Sequence, residues 1–193
     1  MLSAHDSNAA DAMLRPAFSK RDRIRRLVWE FLSLLLFRYT PVPLHRWRCH
    51  LLRCFGAKIG ASNFIYPTAK IWAPWLLTTE DVVTLGPGCE VYNPGGIHLG
   101  HHTIISQDAY LCGATHDYNS ADFTYIKKPI RTEPYTWICA RAIVLPGVTC
   151  GEGSVLGAGS VTSRNMDAWT VYAGNPAKAV KTRTKRLRAK WES

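Results

Sequence analysis

The chain has 193 residues, 47% of them apolar, enough for one well-buried core and hardly for two. Its formal charge is +10, yet residues 1–58 and 178–193 together hold 18 of the 24 Lys and Arg and five of the 14 acids, so the stretch between them is net acidic. Basic ends suit nucleic acid, anionic lipid or a phosphorylated ligand. No apolar run reaches the roughly 18 residues of a membrane-spanning helix. The run LVWEFLSLLLF at 27–37 contains Glu30 and is followed by no small-residue cleavage site, so it is a poor secretion signal and the chain is expected in the cytoplasm.

Residues 1–18 are rich in Ala, Ser, Asp and Asn without pattern and are expected to be disordered. Residues 19–57 predict an N-terminal helical cap. Basic residues lead into an apolar helix at 21–37, Thr40-Pro41-Val42-Pro43 halts it, and a second basic and apolar helix runs from His45 to Phe55. Two roles stay open for this segment: closing the end of a repeat fold, or peripheral attachment to a membrane.

Over 58–177 the aliphatic residues recur every six positions: Ile59, Ile65, Ile71, Leu77; Leu85, Val91, Ile97; Leu99, Ile105, Leu111; and Ile138, Val144, Cys150, Leu156, Thr162. The register shifts fall between Leu77 and Leu85, between Ile97 and Leu99, and between Leu111 and Ile138. Period six is neither helical nor alternating. It predicts an all-β solenoid of short flat strands joined by tight turns, each strand sending one aliphatic residue inward, with three strands, or about 18 residues, to a triangular coil. Ala109, Ala142, Ser154 and Ser160, one position before each strand's outward residue, fill the remaining interior. Glycines such as Gly151 and Gly157, directly after an inward residue, are expected to supply backbone angles closed to other residues. The six cysteines include no CxxC and no zinc-like Cys/His spacing. Cys150 takes an aliphatic position, Cys89 a small interior one, and Cys112 and Cys139 follow inward residues, all in keeping with cysteine as a small hydrophobe. The repeat breaks at LCGATHDYN (111–119), where an excursion of about 113–131 begins; loops of that length in compact domains are usually functional. A basic tail, 178–193, closes the chain.

Taken in order, FGAKIG (55–60), WAPW (72–75), VYNPGGI (91–97), IISQDAYLC (104–112), THDYN (115–119), IVLPGVTCGEGSVLGAGSVT (143–162) and VYAGNPAKAV (171–180) resemble the hexapeptide-repeat acyltransferases, in particular the colanic acid biosynthesis acetyltransferase branch. The resemblance runs from about Phe18 to Arg183. It implies a left-handed parallel β-helix, although connections between parallel strands are right-handed in about 98% of cases. It also implies an N-terminal helical segment, a short C-terminal basic helix or tail, acetyl-CoA as donor, a carbohydrate hydroxyl as acceptor, and a homotrimer with sites between subunits. No metal and no nucleic acid partner are expected.

Carried onto this sequence, the catalytic base is His116. An imidazole suits the removal of a hydroxyl proton during acetyl transfer. Trp137 matches an aromatic beside the pantetheine arm, and Ala140 and Ala158 match small residues along it. Ser163, Arg164, Lys178 and Lys181 match polar and basic groups that hold the coenzyme phosphates. Tyr92 and Asn93 are candidates for the acceptor, and Asp117 either binds the acceptor or orients the imidazole. The chain departs from the family pattern at Cys139, where glycine is usual and the backbone beside Ala140 is thereby in question, at Thr132 and Thr162, which take aliphatic positions, and at His101-His102. Zinc-dependent carbonic anhydrases share this solenoid, but spacing does not place three of His98, His101, His102 and His116 on one ion. A non-enzymatic scaffold or basic-surface binding protein is the alternative to an O-acetyltransferase.

Overall fold

Short strands that stack on one another, coil upon coil, make up most of the molecule. The computed structural model describes residues 17–185. Of the segment expected to be disordered, Ala17 and Phe18 alone fall within it, and residues 186–193 of the basic tail lie outside it. The first coil is β1 (Lys58–Ile59), β2 (Phe64–Ile65) and β3 (Lys70–Ile71); the second is β4 (Leu77–Thr79), β5 (Thr84–Leu85) and β6 (Glu90–Tyr92). The third, β7 (Ile97–Leu99), β8 (Ile104–Ile105) and β9 (Tyr110–Cys112), is followed by β10 (Ala114–His116) and β11 (Tyr125–Lys127), which leave the coil. Two more coils follow: β12 (Ile130–Thr132), β13 (Trp137–Ile138), β14 (Ile143–Val144), then β15 (Thr149–Cys150), β16 (Val155–Leu156), β17 (Val161–Thr162). The last strands are β18 (Thr170–Gly174) and β19 (Ala177–Thr182).

The strands of each coil contribute in turn to three parallel sheets, so the chain is a parallel β-helix with three faces. The first sheet is β1-β4-β7-β12-β15, the second runs β2-β5-β8-β13-β16-β18 with β19 beyond, and the third is β3-β6-β9-β14-β17. Coil length varies. Lys58 pairs with Thr78 and Thr78 with His98, a step of 20; His98 pairs with Arg131, a step of 33; Arg131 pairs with Thr149, a step of 18. The surplus collects at one corner, between the third and first sheets. It comprises the 3₁₀ turn Pro74–Leu76, the Asn93 to Gly96 turn and the β10–β11 excursion, one above another. The first register shift falls within β4, as the second falls within β7, because Leu77 and Thr79 are register partners of Ile97 and Leu99. Leu77 and Thr79 both point inward from β4, as Ile97 and Leu99 do from β7.

The interior is the one the six-residue period requires. Ile65, Leu85, Ile105, Ile138 and Leu156 form one continuous, fully buried stack, and Ala109, Ala142, Ser154 and Ser160 are buried beside it. All six cysteines are free, and burial pushes the Cys89 and Cys150 thiols up to about 12, which leaves them as inert packing groups. Thr132 is tolerated at an inward position because its hydroxyl pairs with that of Thr103 at 3.0 Å, and the Thr162 hydroxyl donates to the Arg164 carbonyl at 2.8 Å.

Glycine's role differs from the expected one. Gly151 is not in the left-handed region; that conformation falls two residues later, at Gly153, and also at non-glycine residues such as His102, Asp108 and Arg141. What glycine permits is close stacking of coils. A Cβ on Gly151 would lie 2.7 Å from the Ala168 nitrogen, and one on Gly100 would lie 2.8 Å from the Glu133 carbonyl carbon.

The two N-terminal helices pack differently against the solenoid. The second, α2 (His45–Cys54), closes the end of the solenoid: Cys49, Leu51 and Leu52 join the core, and the fully buried Arg48 guanidinium donates to the carbonyls of Ile65, Pro41 and Val42 and to the Thr40 hydroxyl. The first, α1 (Lys20–Leu36), lies along the side and buries only Trp29, whose indole donates to the Ile71 carbonyl at 2.6 Å. At the other end, residues 177–182 are a strand where a basic helix or tail was expected. The Gly174-Asn175-Pro176 turn folds β19 back antiparallel onto β18, covering the otherwise open edge of the second sheet.

Two substitutions separate steric from conformational roles of glycine. Gly100→Ala forces backbone apart between coils and should lower unfolding free energy by about 1–3 kcal/mol. Gly159→Asn, at a left-handed position where a Cβ would meet no atom within 4 Å, should cost under about 0.5 kcal/mol in the same urea titration.

Candidate active site

The excursion after β9 is a β-hairpin. Ala114 pairs with Lys127, Thr115 with Ile126 and His116 with Tyr125. Its tip is built by Asp117 and Ser120. The Asp117 carboxylate accepts from the Asn119 amide at 2.9 Å, and the Ser120 hydroxyl donates to the Asp117 carbonyl and accepts from the Thr124 amide, both at 2.9 Å. This turn brings the Phe123 carbonyl to 2.6 Å from His116 Nδ1. A carbonyl oxygen only accepts, so in the neutral ring Nδ1 carries the proton and Nε2 keeps a free lone pair. The ring is exposed, with Tyr125 packed 5.3 Å away. The Phe123 carbonyl, and not Asp117, is the group that contacts the imidazole; Asp117 Oδ1 accepts from the turn.

An aromatic wall continues from His116. The Tyr125 and Tyr92 hydroxyls share a hydrogen bond of 2.7 Å, Tyr92 packs against Trp72 at 5.4 Å, and Phe18 lies 5.0 Å from Trp72 and 5.5 Å from Tyr125. Arg26 sits over Phe18 and Trp72, and Lys127 over Phe18. Burial, with the hydrogen bond to Tyr92, raises the Tyr125 hydroxyl above the usual phenol range and keeps it neutral. Of this wall, sequence reasoning names Tyr92 alone. Trp72 stands in the WAPW motif without an assigned role, Tyr125 lies in the excursion, and Phe18 belongs to a segment expected to be disordered.

Asn93 is corrected. It is 0% exposed, and its amide is consumed by the Ala73 backbone, accepting from the nitrogen at 3.0 Å and donating to the oxygen at 2.8 Å. It ties two widened corners together and, being fully buried, presents no surface to a sugar.

The candidate donor residues lie elsewhere on the prism. Trp137 stands on the outer face of the second sheet between Ile104 and Val155, its Nε1 donating to the Ser106 hydroxyl at 2.8 Å and its indole 44% exposed. Ala140 and Ala158 occupy successive turns at the corner between the second and third sheets, where Gly159 donates to the Ala140 carbonyl at 2.9 Å and the space beyond Gly159 is open. Cys139 leaves this backbone regular: its amide reaches the Leu156 carbonyl at 2.9 Å, as Ser106 reaches Ile138 one coil below. Lys178 and Lys181 are exposed on β19 at the edge of the second sheet. Ser163 and Arg164, also exposed, lie with His116 at the third-to-first corner. A single chain thus brings His116, Tyr92, Ser163 and Arg164 to one corner and Trp137, Ala140, Ala158 and the two lysines to another edge.

Two of the other histidines, His98 and His101, pair with an acid. His98 lies 3.2 Å and His101 3.6 Å from the Glu80 carboxylate, which the His101 amide and these rings hold below the usual carboxylate range. Among the described residues no three His, Cys, Asp or Glu side chains are grouped to hold a metal ion.

No protein-family model matches the chain. It is 39% identical over 166 residues, 86% of its length and 91% of the relative's, to the Escherichia coli protein named as a colanic acid biosynthesis acetyltransferase, WcaF. Among solved structures it superimposes on the hexapeptide-repeat acetyltransferase VCA0836 of Vibrio cholerae, determined with acetyl coenzyme A, with a TM-score of 0.78 at 21% identity over 91% of this chain and 98% of that one. A galactoside acetyltransferase in complex with coenzyme A gives 0.73 at 19% identity, covering 89% and 86%. The stacked hexads and three-faced parallel helix are those of a hexapeptide-repeat acetyltransferase. Within that class, the chain belongs to the family of the colanic acid biosynthesis acetyltransferase WcaF.

Because Asp117 builds the turn and does not touch the imidazole, Asp117→Asn, which retains an oxygen for the Asn119 amide, should keep acetyl transfer within about tenfold of wild type. A loss of several orders of magnitude in steady-state turnover would return Asp117 to a direct catalytic role.

Proposed function

We propose that the protein transfers the acetyl group of acetyl-CoA to a hydroxyl of a sugar in an exopolysaccharide precursor of the colanic acid kind, in the cytoplasm, with His116 as general base. The observation that carries this reading is the Phe123 carbonyl on Nδ1, which leaves Nε2 as a proton acceptor on an exposed ring. As the sugar oxygen attacks the thioester carbonyl carbon, its proton passes to Nε2; the carbon–sulfur bond then breaks and the sulfur takes up a proton from the imidazolium. The wall of Tyr125, Tyr92, Trp72 and Phe18 offers ring faces to the apolar side of a sugar, and Arg26 and Lys127 border it with donors for hydroxyls. On the donor side Trp137 packs against the pantetheine arm, Ala140 and Ala158 leave room along the corner, and Lys178, Lys181, Ser163 and Arg164 meet phosphate.

His116 and Trp137 stand on different edges of one prism, so a site containing both draws them from two copies. Two apolar features support this assembly. The hairpin tip leaves Tyr118 81% exposed, and the second sheet presents Phe64, Ile104 and Trp137 in one outward column. A tip that meets a different surface on its neighbour makes a heterologous contact, which closes into a ring, here a homotrimer.

Replacing the base tests the chemistry. His116→Asn should lower turnover by roughly two to four orders of magnitude in a thiol-release assay with acetyl-CoA and a sugar panel, with calorimetric acetyl-CoA affinity unchanged. A variant retaining more than about a tenth of wild-type turnover would assign the base elsewhere. Absence of any thiol release by the wild type on every acceptor would favour a scaffold.

Mixing tests the shared site. Co-refolded His116→Asn and Trp137→Ala chains should recover activity that neither has alone, because some interfaces then pair an intact His116 with an intact Trp137. No recovery in mixed assemblies, verified by mass, would place both residues in one chain's site.

A further inference from the structure

The face of α1 that points away from the prism is its most apolar. Ile24, Leu27, Val28, Phe31, Leu34 and Leu35 follow the spacing of a single helical stripe, and all are exposed, Leu27 by 65% and Phe31 by 63%. The opposite face is the packed one. There Trp29 is tied to Ile71 and stacks with Phe37 and Phe55, while Arg25 lies 4.1 Å over Trp75. The helix is therefore held firmly with an unpartnered apolar stripe outward, the reverse of what burial in the chain's own core would select.

The charge around the stripe is specific. Arg21 and Arg23 flank it on its two sides, Lys20 and Arg38 stand at its ends, and Arg46 follows on α2; all are exposed, against one exposed acid of α1, Glu30. The other acid of that helix, Asp22, is engaged by the Ser19 cap at 2.6 Å. Beyond the stripe, Tyr39, Val42 and Leu44 continue the exposed apolar surface, and the Trp47 indole, donating to the Leu36 carbonyl at 2.8 Å, remains exposed beside its end. Among the described residues no helix is long and apolar enough to cross a membrane. An apolar stripe, a basic border and an aromatic at the end are what a helix lying in a bilayer interface requires: the stripe enters the acyl boundary, and the arginines extend their stems along it toward anionic headgroups.

We propose that α1, with the Tyr39–Trp47 surface, docks the protein flat onto an anionic lipid bilayer. The docking does not depend on the acetyl-transfer reading, but it bears on it. Phe18, two residues before α1 begins, is part of the aromatic wall beside His116, so a docked helix holds that wall near the membrane surface, where a sugar acceptor carried on a lipid would be presented.

The test uses the full chain and vesicles of phosphatidylcholine, alone or mixed with phosphatidylglycerol, in a co-sedimentation assay. The protein should bind the mixed vesicles at low salt, and at least about tenfold more weakly when phosphatidylglycerol is omitted or salt is raised. The double substitution Leu27→Glu with Phe31→Glu, at exposed positions, should reduce binding at least about tenfold while preserving the melting temperature and the light-scattering mass. Failure of the wild type to bind mixed vesicles, or equal binding by the substituted chain, overturns the proposal. A changed mass in the substituted chain overturns it too, since the stripe would then be covered by a second copy. Vesicle binding without thiol release would leave the docking standing and remove the catalytic reading alone.

Discussion

Each coil is joined to the next by parallel backbone hydrogen bonds, and the spacing they impose, about 4.8 Å, governs the rest of the molecule. It leaves no room for a side chain where two turns pass closest, which is why Gly100 and Gly151 stand where a Cβ would strike the neighbouring backbone. It also brings each inward residue directly under its counterpart, so one wrong volume would disturb a whole column, and the column from Ile65 to Leu156 is aliphatic throughout. The left-handed backbone that turns each corner is imposed by the same stacking, and the chain adopts it even at Val82, a residue that disfavours it.

Within this ladder only the corner between the third and first sheets accepts extra residues. The first-sheet strands there carry two inward residues each, which widens the prism and gives the chain space to turn outside it. Asn93 shows how the widened corner is closed, its amide serving as a backbone surrogate for Ala73. The β10–β11 hairpin is the largest of these insertions. It lifts His116 clear of the prism while its own turn holds the ring by a main-chain carbonyl, so the imidazole is positioned by backbone rather than by a second titrating group. The ends of the solenoid are handled separately: α2 seals one with aliphatic side chains and a buried arginine, and β19 covers the exposed strand edge at the other.

The period of six by itself determined the solenoid, its inward columns and the harmless burial of Cys89 and Cys150, because an inward position in a stacked coil tolerates few residue types and repeats at fixed intervals. The same period is silent on hand and on where surplus residues go. Motif order pointed to His116 and Trp137 as residues. What tertiary structure decided was their company. The Phe123 carbonyl on the imidazole carries no side-chain signature; Phe18 meets Trp72 and Tyr125 across distances in sequence that no periodicity spans; and Asp117 and Asn93, both suitable in chemistry, bond to backbone amides. The helical pattern of α1 was legible, but which face it buries was not, since a stripe of apolar residues reads the same whether it faces a core or leaves it. Residue type and spacing record what a position tolerates, whereas a site depends on which tolerated groups the fold brings within a few ångströms of each other.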